Sequence, residues 1–412
     1  MTQGDRWDVV VIGAGAAGLM AALRAAERGK RTLLLEKNRK AGVKILMSGG
    51  TRCNVTHATD NTGIIEAYGG KQGRFLRAAL ANFTVQDTLD FFHGEGVATK
   101  VEETGKIFPV SNKAADVLNA LLRRLERSRA TLALEEPVGR FEQRESHFVL
   151  NTQLRRVHAD KVIVATGGQS YPGSGTTGDG YHFLEQFGHS LVEPRPALVP
   201  ITVQEKWVGS LRGITLPETI VRLKEQDKRH DQRRGSLLFA HFGLSGPVIL
   251  DISRHVSGHH NPETLHLLVD LLPHQDEHQL SQFLQNATTK TGKKQLGTVL
   301  GDHLPRRLCD EILVQAGLPT DRTCAGLRRI ERSAILQNIK SLRLPVAGTL
   351  GFKKAEVTAG GIPLNEVNPK TTESRLVKNI YIVGEILDLD GPIGGYNFQA
   401  AWSTGWLAGS SV

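Results

Sequence analysis

Cysteine is scarce in this sequence. The 412 residues include only Cys53, Cys309 and Cys324, which are too few and too scattered for a disulfide framework or a four-ligand zinc site. The first eight residues are polar and lead directly into a strand, so we expect no signal peptide. With 40% hydrophobic and 23% charged residues, the composition excludes a disordered, collagenous or disulfide-stapled chain and favours a cytoplasmic globular protein.

Long uncharged runs are also scarce. The longest, residues 391–412, is long enough to span a bilayer. Its five glycines, together with Asn397, Gln399 and several serines, would make a poor membrane helix. We therefore predict a buried, glycine-rich helix here and no membrane partner.

Glycine, in contrast, is abundant, with 44 residues. Asp8–Ile12 (DVVVI) is apolar without alternation, which predicts a strand buried on both faces. It runs into the GxGxxG glycines Gly13, Gly15 and Gly18, then into a helical stretch and a second apolar strand that ends at Glu36. This β-α-β order is typical of dinucleotide binding and is more specific than the glycines alone.

The chemistry of a dinucleotide explains each position. Gly13 permits a tight turn, Gly15 lets the backbone approach a pyrophosphate, and Gly18 allows close helix–strand packing. The first helical residues, Ala16 and Ala17, belong to a helix N-terminus whose free N–H groups favour phosphate. Glu36 is placed to accept hydrogen bonds from a ribose 2′-hydroxyl. An adenine dinucleotide is therefore predicted.

Three more glycine-rich segments favour FAD over NAD. They are residues 42–54, residues 165–168 at the end of a buried strand, and residues 383–399 near the C-terminus, which a plain NAD dehydrogenase would not need. Residues predicted to contact the cofactor in these segments, together with Lys37, are Lys44, Ser48, Gly49, Gly50, Thr51, Arg52, Asn54, Ala165, Thr166, Gly167, Gly384, Glu385, Gly394, Gly395, Tyr396, Asn397 and Phe398.

At these segments the chain resembles the BaiN/RdsA family of FAD-dependent oxidoreductases. The resemblance is carried, in order, by GAGAAG, KILMSGGTRCN, ATGG, GLSGP, AEVTAGG and GGYNFQ. It implies an α/β, Rossmann-like two-dinucleotide-binding-domain flavoprotein fold with inserted β-barrel-like and helical domains. Thr51 departs from the pattern, because many members have a third glycine there.

The pattern of strand-like and helix-like segments along the chain predicts the same layout. We place the FAD-binding domain in residues 1–195 and 345–412, a β-rich substrate domain in 196–258, and a helical domain in 259–344. A second GxGxxG, residues 173–178, lies six residues after its strand and precedes no acid-terminated strand, so we interpret it as a loop over the cofactor. NAD(P)H, the candidate electron donor, would then enter the substrate cleft itself.

Few side chains are candidates for chemistry, because a flavin transfers hydride itself and the protein needs to add only orientation and one proton. Cys53 is the candidate proton donor; alternatively, it is a small buried residue that packs the loop. As a donor, its replacement by alanine would lower turnover at least about tenfold with FAD still bound. His241, which precedes a glycine-rich turn, either faces the substrate or caps its loop. No carboxylate or cysteine stands at ligand spacing from His255, His259 and His260, so no metal site is predicted.

The basic charge is uneven. The net charge is +9, and residues 222–234 contain six basic and three acidic side chains, while 323–354 contain seven basic and one acidic. Such segments are either solvated surface or a footprint for a polyanion such as ribosomal RNA.

The family resemblance implies several activities: dihydrouridine synthesis in ribosomal RNA, reduction of steroid-type enones, and oxidation of an aminoketone. We favour NAD(P)H-driven reduction of a C=C bond in a ribosomal RNA uridine. The alternatives are a small-molecule oxidase or enone reductase, and a non-enzymatic flavin redox sensor or RNA-binding module.

Overall fold

The chain divides into two compact units. A computed structural model describes residues 6–412, so most of the polar start that argues against a signal peptide lies outside the described residues. Unit 1 comprises Met1–Pro196 and Ala355–Val412, and unit 2 comprises Ala197–Lys354. The sequence predicted separate β-rich and helical inserted domains, whereas the structure has one unit between the two segments of unit 1.

The first segment of unit 1 alternates strands and helices. Its elements are β1 (Arg6–Ile12), α1 (Ala16–Glu27), β2 (Thr32–Leu35), α2 (Val43–Thr51), β3 (Thr56–His57), α3 (Asn61–Tyr68), α4 (Gly70–Asn82), α5 (Val85–Gly94), β4 (Thr99–Val101), β5 (Lys106–Pro109), α6 (Ala114–Arg127), β6 (Thr131–Ala133), β7 (Val138–Gln143), β8 (Phe148–Thr152), β9 (Arg156–Val164), α7 (Asp179–Glu185) and β10 (Val192–Ala197). Thr84 is the N-cap of α5 and forms a capping box with Asp87.

Unit 2 is built on a closed barrel. Its elements are β11 (Ile201–Val203), β12 (Thr215–Glu225), β13 (Lys228–Ala240), β14 (Gly243–Ser245), α8 (Pro247–Ser257), β15 (Leu265–Asp270), α9 (Glu277–Lys290), α10 (Leu296–Leu300), α11 (Arg306–Gln315), α12 (Arg329–Lys340) and β16 (Leu342–Thr349). The barrel order is β11-β14-β13-β12-β15-β16, and β11 pairs with β16 to close it.

One core explains why the two predicted inserted parts form a single unit. β15 lies in the range predicted as helical, and β16 begins there, yet both are barrel strands. Buried side chains of the barrel, such as Val221 and Leu267, share one apolar cluster with Leu284, Ile312 and Ile335 of the surrounding helices. Neither the strands nor the helices could bury their apolar faces alone.

The second segment of unit 1 completes its sheet. Its elements are β17 (Val357–Gly361), β18 (Ile380–Ile382) and α13 (Tyr396–Ser411). The main sheet runs β6-β2-β1-β9 in parallel, with β18 parallel to the second half of β9 and the β7–β8 hairpin antiparallel to its first half. Parallel strands bring their carboxyl ends to one edge, so the loops after β1, β2, β9 and β18 meet there.

The uncharged C-terminal run is the glycine-rich helix α13, which packs against α1. A Cβ at Gly405 would lie 2.3 Å from the carbonyl oxygen of Ala17, and one at Gly409 would lie 2.5 Å from that of Ala21. The two glycines are four residues apart and therefore share one face of α13. Within residues 6–412, no helix has the length and apolar character needed to cross a bilayer.

Candidate functional site

The turn between β1 and α1 forms a backbone cradle. Gly13 has φ +99°, and a Cβ there would lie 2.7 Å from the carbonyl oxygen of Ala165. A Cβ at Gly18 would lie 1.8 Å from the carbonyl oxygen of Gly13, whereas one at Gly15 would have no atom within 4 Å. Gly13 and Gly18 are thus required by packing, and Gly15 leaves open space beside the N-terminus of α1. Ala16 and Ala17 are the first two residues of that helix.

Glu36 supports this cradle directly. Its side chain is buried, Oε2 accepts a hydrogen bond from the backbone N–H of Ala14 at 2.8 Å, and Oε1 accepts one from that of Asn38 at 2.8 Å. A carboxylate has about four acceptor sites, so it can still accept a ribose hydroxyl. The ribose contact stays a prediction.

Lys37 is paired with the loop of the second glycine motif. Its Nζ donates to Thr177 Oγ1 and to Asp179 Oδ2, both at 2.6 Å. Burial raises the pKa of Asp179, but hydrogen bonds from Lys37 and Thr177 outweigh this and hold that pKa below its usual value. The motif itself overlaps a short 3₁₀ turn and ends at Gly178, the N-cap of the seven-residue helix α7. A direct contact of Lys37 with the cofactor stays a prediction.

The backbone is strained in the second half of α2. Helical geometry stops at Ser48, and Gly49, Gly50 and Thr51 have φ of 55°, 67° and 69°. Glycine adopts this left-handed region without cost, whereas a β-branched residue such as Thr51 rarely does. Backbone strain of this kind clusters at functional sites. The departure at Thr51 therefore falls on a residue that still takes the glycine-like conformation.

Arg52 contacts protein groups. Its Nη1 lies 2.6 Å from Glu102 Oε1, and its guanidinium stacks 3.9 Å from the centroid of the Phe108 ring. These contacts tie the strained turn to the β3-β5-β4 sheet. The predicted cofactor contact of Arg52 stays a prediction.

A polar cluster joins four of the motif segments. Lys44 Nζ donates to Glu385 Oε2 at 2.5 Å and to Ser170 Oγ at 2.7 Å. Glu385 Oε1 accepts from Ser170 Oγ at 2.6 Å and from the Thr358 N–H at 3.0 Å. We call Lys44, Ser170, Thr358 and Glu385 the polar cluster; it links α2, the loop after β9, β17 and the loop after β18.

Sequence reasoning missed half of this cluster. Ser170 and Thr358 are fully buried, and Thr358 Oγ1 accepts from the N–H groups of Gln169 and Ser170 at 2.8 and 2.9 Å. Thr358 lies within the AEVTAGG motif, which was noted without a role for any residue. Gly168 is needed beside it, because a Cβ there would lie 2.4 Å from Thr358 Oγ1.

The glycine loop after β18 positions the start of α13. Gly395 has φ +98°, and a Cβ there would lie 2.5 Å from the Thr56 carbonyl. The Asn397 side chain holds the loop, because its Oδ1 accepts from the Gly391 N–H at 2.8 Å and its Nδ2 donates to the Gly391 oxygen at 3.0 Å. Sequence reasoning missed His57, whose ring stacks 4.6 Å from that of Tyr396.

Other predicted cofactor residues are brought to the same edge by packing. Gly384 has φ +76°, and a Cβ there would lie 2.8 Å from the Cβ of Ala17, which keeps the loop after β18 close to α1. Gly167 has φ +74° and follows Ala165 at the end of β9. Phe398 stacks 5.3 Å from Trp402 within α13.

The two candidate catalytic residues lie in different units. Cys53 of unit 1 is fully buried in an apolar cluster, and burial raises its pKa to about 12 although Ser48 provides a hydrogen bond. These surroundings favour packing over proton donation. His241 of unit 2 is exposed in the two-residue turn that joins β13 and β14, with its ring 4.9 Å from Phe242. Both catalytic roles stay predictions.

The residues at this edge fit a flavin nucleotide. Asn54 Oδ1 and Thr166 Oγ1 are buried without a hydrogen-bond partner among the described residues, and such orphaned atoms are rare unless a ligand or water completes them. Gly15 provides the open cradle at a helix N-terminus, and the predicted contact residues of three other segments converge beside it. Bound FAD would supply hydride transfer at this edge.

The histidines near residue 259 have a carboxylate close to them in the structure, although none stands at ligand spacing from them in the sequence. In unit 2, Glu225 and His230 lie beside His259, with one potential ligand atom from each within 4.8 Å of the others. The β12–β13 turn brings them together.

The fold and this site define an FAD-dependent oxidoreductase with a Rossmann-type dinucleotide-binding unit. The chain belongs to the family described as HI0933-like protein Rossmann domain, whose model matches residues 7–411. This result confirms the predicted family and fold class.

Relatives of named activity extend over nearly the whole chain. The ribosomal RNA dihydrouridine synthase of Escherichia coli K12 is 35% identical over 411 residues, 99% of this chain and 98% of that protein. The 3-dehydro-bile acid delta(4,6)-reductase of Clostridium scindens is 31% identical over 405 residues, 98% of each chain. A 3-ketosteroid-delta4-(5alpha)-dehydrogenase from Rhodococcus jostii RHA1 shares the fold, with TM-score 0.50, 13% identity, and coverage of 99% of this chain and 97% of that one.

Proposed function

We propose that this enzyme uses NAD(P)H to reduce the C=C bond of a uridine in ribosomal RNA, giving dihydrouridine. The uridine gains one hydride and one proton, and NAD(P)H is oxidised to NAD(P)⁺. The observation that carries the proposal is the 35% identity, over 99% of the chain, to a ribosomal RNA dihydrouridine synthase. A ribosomal RNA substrate would also place the enzyme in the cytoplasm.

Exposed basic side chains on unit 2 support an RNA partner, but fewer than the sequence count suggests. In residues 222–234, Arg233 and Arg234 pair with Asp231 and Glu218, whereas Lys228 and Arg229 are exposed at the β12–β13 turn. Positive side chains at such a turn are suited to phosphate contacts.

Residues 323–354 likewise offer fewer available basic side chains than the sequence count suggests. Lys340 is 11% exposed and lies 2.8 Å from Asp270, and Arg328 lies 3.2 Å from Glu331. Lys353 and Lys354 remain exposed at the end of unit 2. We therefore assign the proposed phosphate contacts to the exposed members of the two segments.

The decisive test is mass mapping of dihydrouridine in ribosomal RNA from cells with and without the gene. We expect one or more dihydrouridines to disappear on deletion and to return when the wild-type gene is restored. Identical maps would overturn the proposal. Purified enzyme, assayed with NADH and NADPH in parallel on RNA from the deletion strain, identifies the donor.

RNA binding provides a matched comparison. We expect the double variant Lys228→Ala, Arg229→Ala to bind ribosomal RNA more weakly and to lower the slope of log K against log salt by about 1.4 if both groups contact single-stranded phosphates. The control, Lys71→Ala with Arg74→Ala, removes the same charge from exposed positions of α4 in unit 1. An unchanged slope in the first variant would remove the turn from the RNA surface.

A small-molecule enone reductase is the second candidate, because the bile acid reductase is 31% identical over nearly the whole chain. It predicts NAD(P)H-dependent turnover of a steroid-type enone together with unchanged dihydrouridine maps and no salt-sensitive RNA affinity.

A further inference from the structure

Three side chains converge at one end of the barrel in unit 2. Glu225 is the last residue of β12, His230 is the third residue of β13 after a tight turn, and His259 lies just beyond α8. Glu225 Oε2 is 3.6 Å from His230 Nε2 and 3.5 Å from His259 Nε2. The ligand atoms of a tetrahedral zinc site lie about 3.3 Å apart when the metal–ligand bonds are about 2.0–2.1 Å long. We call the three ligand atoms the triangle; two of its edges are thus already within a few tenths of an ångström of the length found in a metal site.

The third edge and the accessibility are compatible with metal entry. All three ligand atoms lie within 4.8 Å of one another, so closing the widest edge takes at most roughly 1.5 Å, which histidine rotamers can supply. The side chains of Glu225, His230 and His259 are 29%, 19% and 11% exposed. The triangle is therefore partly buried, with a path from solvent.

Hydrogen bonds around the triangle aim its atoms inward. His259 Nδ1 lies 2.9 Å from the Asn261 carbonyl oxygen and 3.3 Å from the Asn261 backbone nitrogen. In the tautomer that donates the shorter of these two bonds from Nδ1, Nε2 presents its lone pair to the other two side chains. Thr264 Oγ1 donates to Glu225 Oε1 at 2.6 Å, which leaves Oε2 for the two imidazoles. Supporting bonds of this kind orient metal-binding histidines and carboxylates.

His230 gives a separate indication of a ligand. Its Nε2 is buried and has no partner within hydrogen-bond distance among the described residues, with the Glu225 carboxylate just beyond that distance at 3.6 Å. A buried ring nitrogen is normally satisfied, and a metal ion at the centre of the triangle would satisfy it.

We propose that Glu225, His230 and His259 bind a divalent transition-metal ion, with Zn²⁺ as the natural occupant. Two imidazoles and one carboxylate match the ligands of zinc, whereas Ca²⁺ and Mg²⁺ prefer sites made of oxygen alone. Water would fill the remaining position. The ion would tie the β12–β13 turn, which carries Lys228 and Arg229, to the connection between α8 and β15.

The test uses the full-length, tag-free protein after treatment with a chelator and dialysis. Isothermal titration with Zn²⁺ should show one saturable site, and Co²⁺ should give the visible absorption of a four-coordinate complex. We expect His259→Ala and Glu225→Gln each to weaken Zn²⁺ binding at least about tenfold, and Thr264→Val to weaken it by roughly the same factor through lost orientation of the carboxylate.

Two neighbouring histidines give matched controls. The His260 ring lies 4.7 Å from that of His259, tilted by 35°, and His255 pairs with Asp231 at 3.3 Å, yet neither belongs to the triangle. Their alanine variants should bind Zn²⁺ within about twofold of the wild type. Equal binding by wild type and His259→Ala, or the absence of a one-to-one site, would overturn the proposal.

X-ray absorption at the zinc edge tests the ligand set without any substitution. The wild-type complex should show two imidazole ligands and otherwise oxygen. A spectrum with fewer than two imidazoles would overturn the assignment even if a variant failed to fold. The measurement uses the metal alone, so it does not depend on the RNA proposal.

Discussion

Replacing Gly15 and Gly18 separately by alanine should distinguish cofactor binding from packing within one motif. At Gly18 the new Cβ would lie 1.8 Å from the carbonyl oxygen of Gly13, where about 3.5 Å is an ordinary contact. Overpacking of this severity costs about 3 kcal/mol, and the better helix propensity of alanine returns about 1 kcal/mol. We expect Gly18→Ala to lose about 2 kcal/mol of unfolding free energy, or roughly 4–8 °C in melting temperature.

Gly15→Ala should have the opposite profile. Gly15 has φ −80°, which alanine adopts freely, and its Cβ would meet nothing within 4 Å among residues 6–412. The unfolding free energy of the apoprotein should therefore change by at most about 1 kcal/mol. If the pyrophosphate approaches this backbone, the added methyl group occupies its space, and FAD should bind at least about tenfold more weakly, which is about 1.4 kcal/mol.

Urea unfolding of the apoproteins and fluorescence titration with FAD measure the two effects. Gly94→Ala is the control, because its Cβ would also meet nothing within 4 Å but lies at the end of α5; neither quantity should change much. Wild-type FAD affinity in Gly15→Ala would refute a pyrophosphate at this turn. Wild-type stability in Gly18→Ala would refute the packing argument.

Two further substitutions test the polar cluster and the buried thiol. Glu385→Gln should lose about 2–3 kcal/mol of unfolding free energy, because Lys44 loses its charged partner in a partly buried site. Glu102 is more exposed, so the control Glu102→Gln should lose at most about 1 kcal/mol. Equal urea curves for both variants would contradict the role of the polar cluster. Cys53→Ala should keep turnover within about twofold, since the thiol is fully buried and this burial raises its pKa to about 12, which makes it a weak acid. A tenfold loss would instead support proton donation.

The first β-α-β unit was predictable because its information is local. The strand, turn and helix of residues 8–28 follow one another directly, and the turn itself explains why each glycine is needed. The cap at Thr84 was predictable for the same reason, since its capping-box partner Asp87 is three residues away. Local patterns also predicted the glycine-rich helix at the C-terminus.

Contacts between residues that are far apart in the chain could not be predicted from the sequence. Lys44 and Glu385 are 341 residues apart, and only the parallel order of the sheet brings the loops after β9 and β18 to α2. The same holds for the metal triangle, where a hairpin turn and the end of α8 converge. Spacing along the chain indicated no carboxylate ligand beside His259, because Glu225 is distant in the sequence and comes close to His259 only when the barrel folds.

Charge in the sequence is a poor guide to charge that is available at the cofactor edge. Lys37, Lys44 and Arg52 were predicted to contact the cofactor, and they pair with Asp179, Glu385 and Glu102, respectively. The remaining attraction for a pyrophosphate would come from the N-terminus of α1, whose first turn contains no acidic residue and which carries about half a positive charge. We therefore propose that backbone N–H groups recognise the phosphates and that the three cations hold the surrounding loops in place.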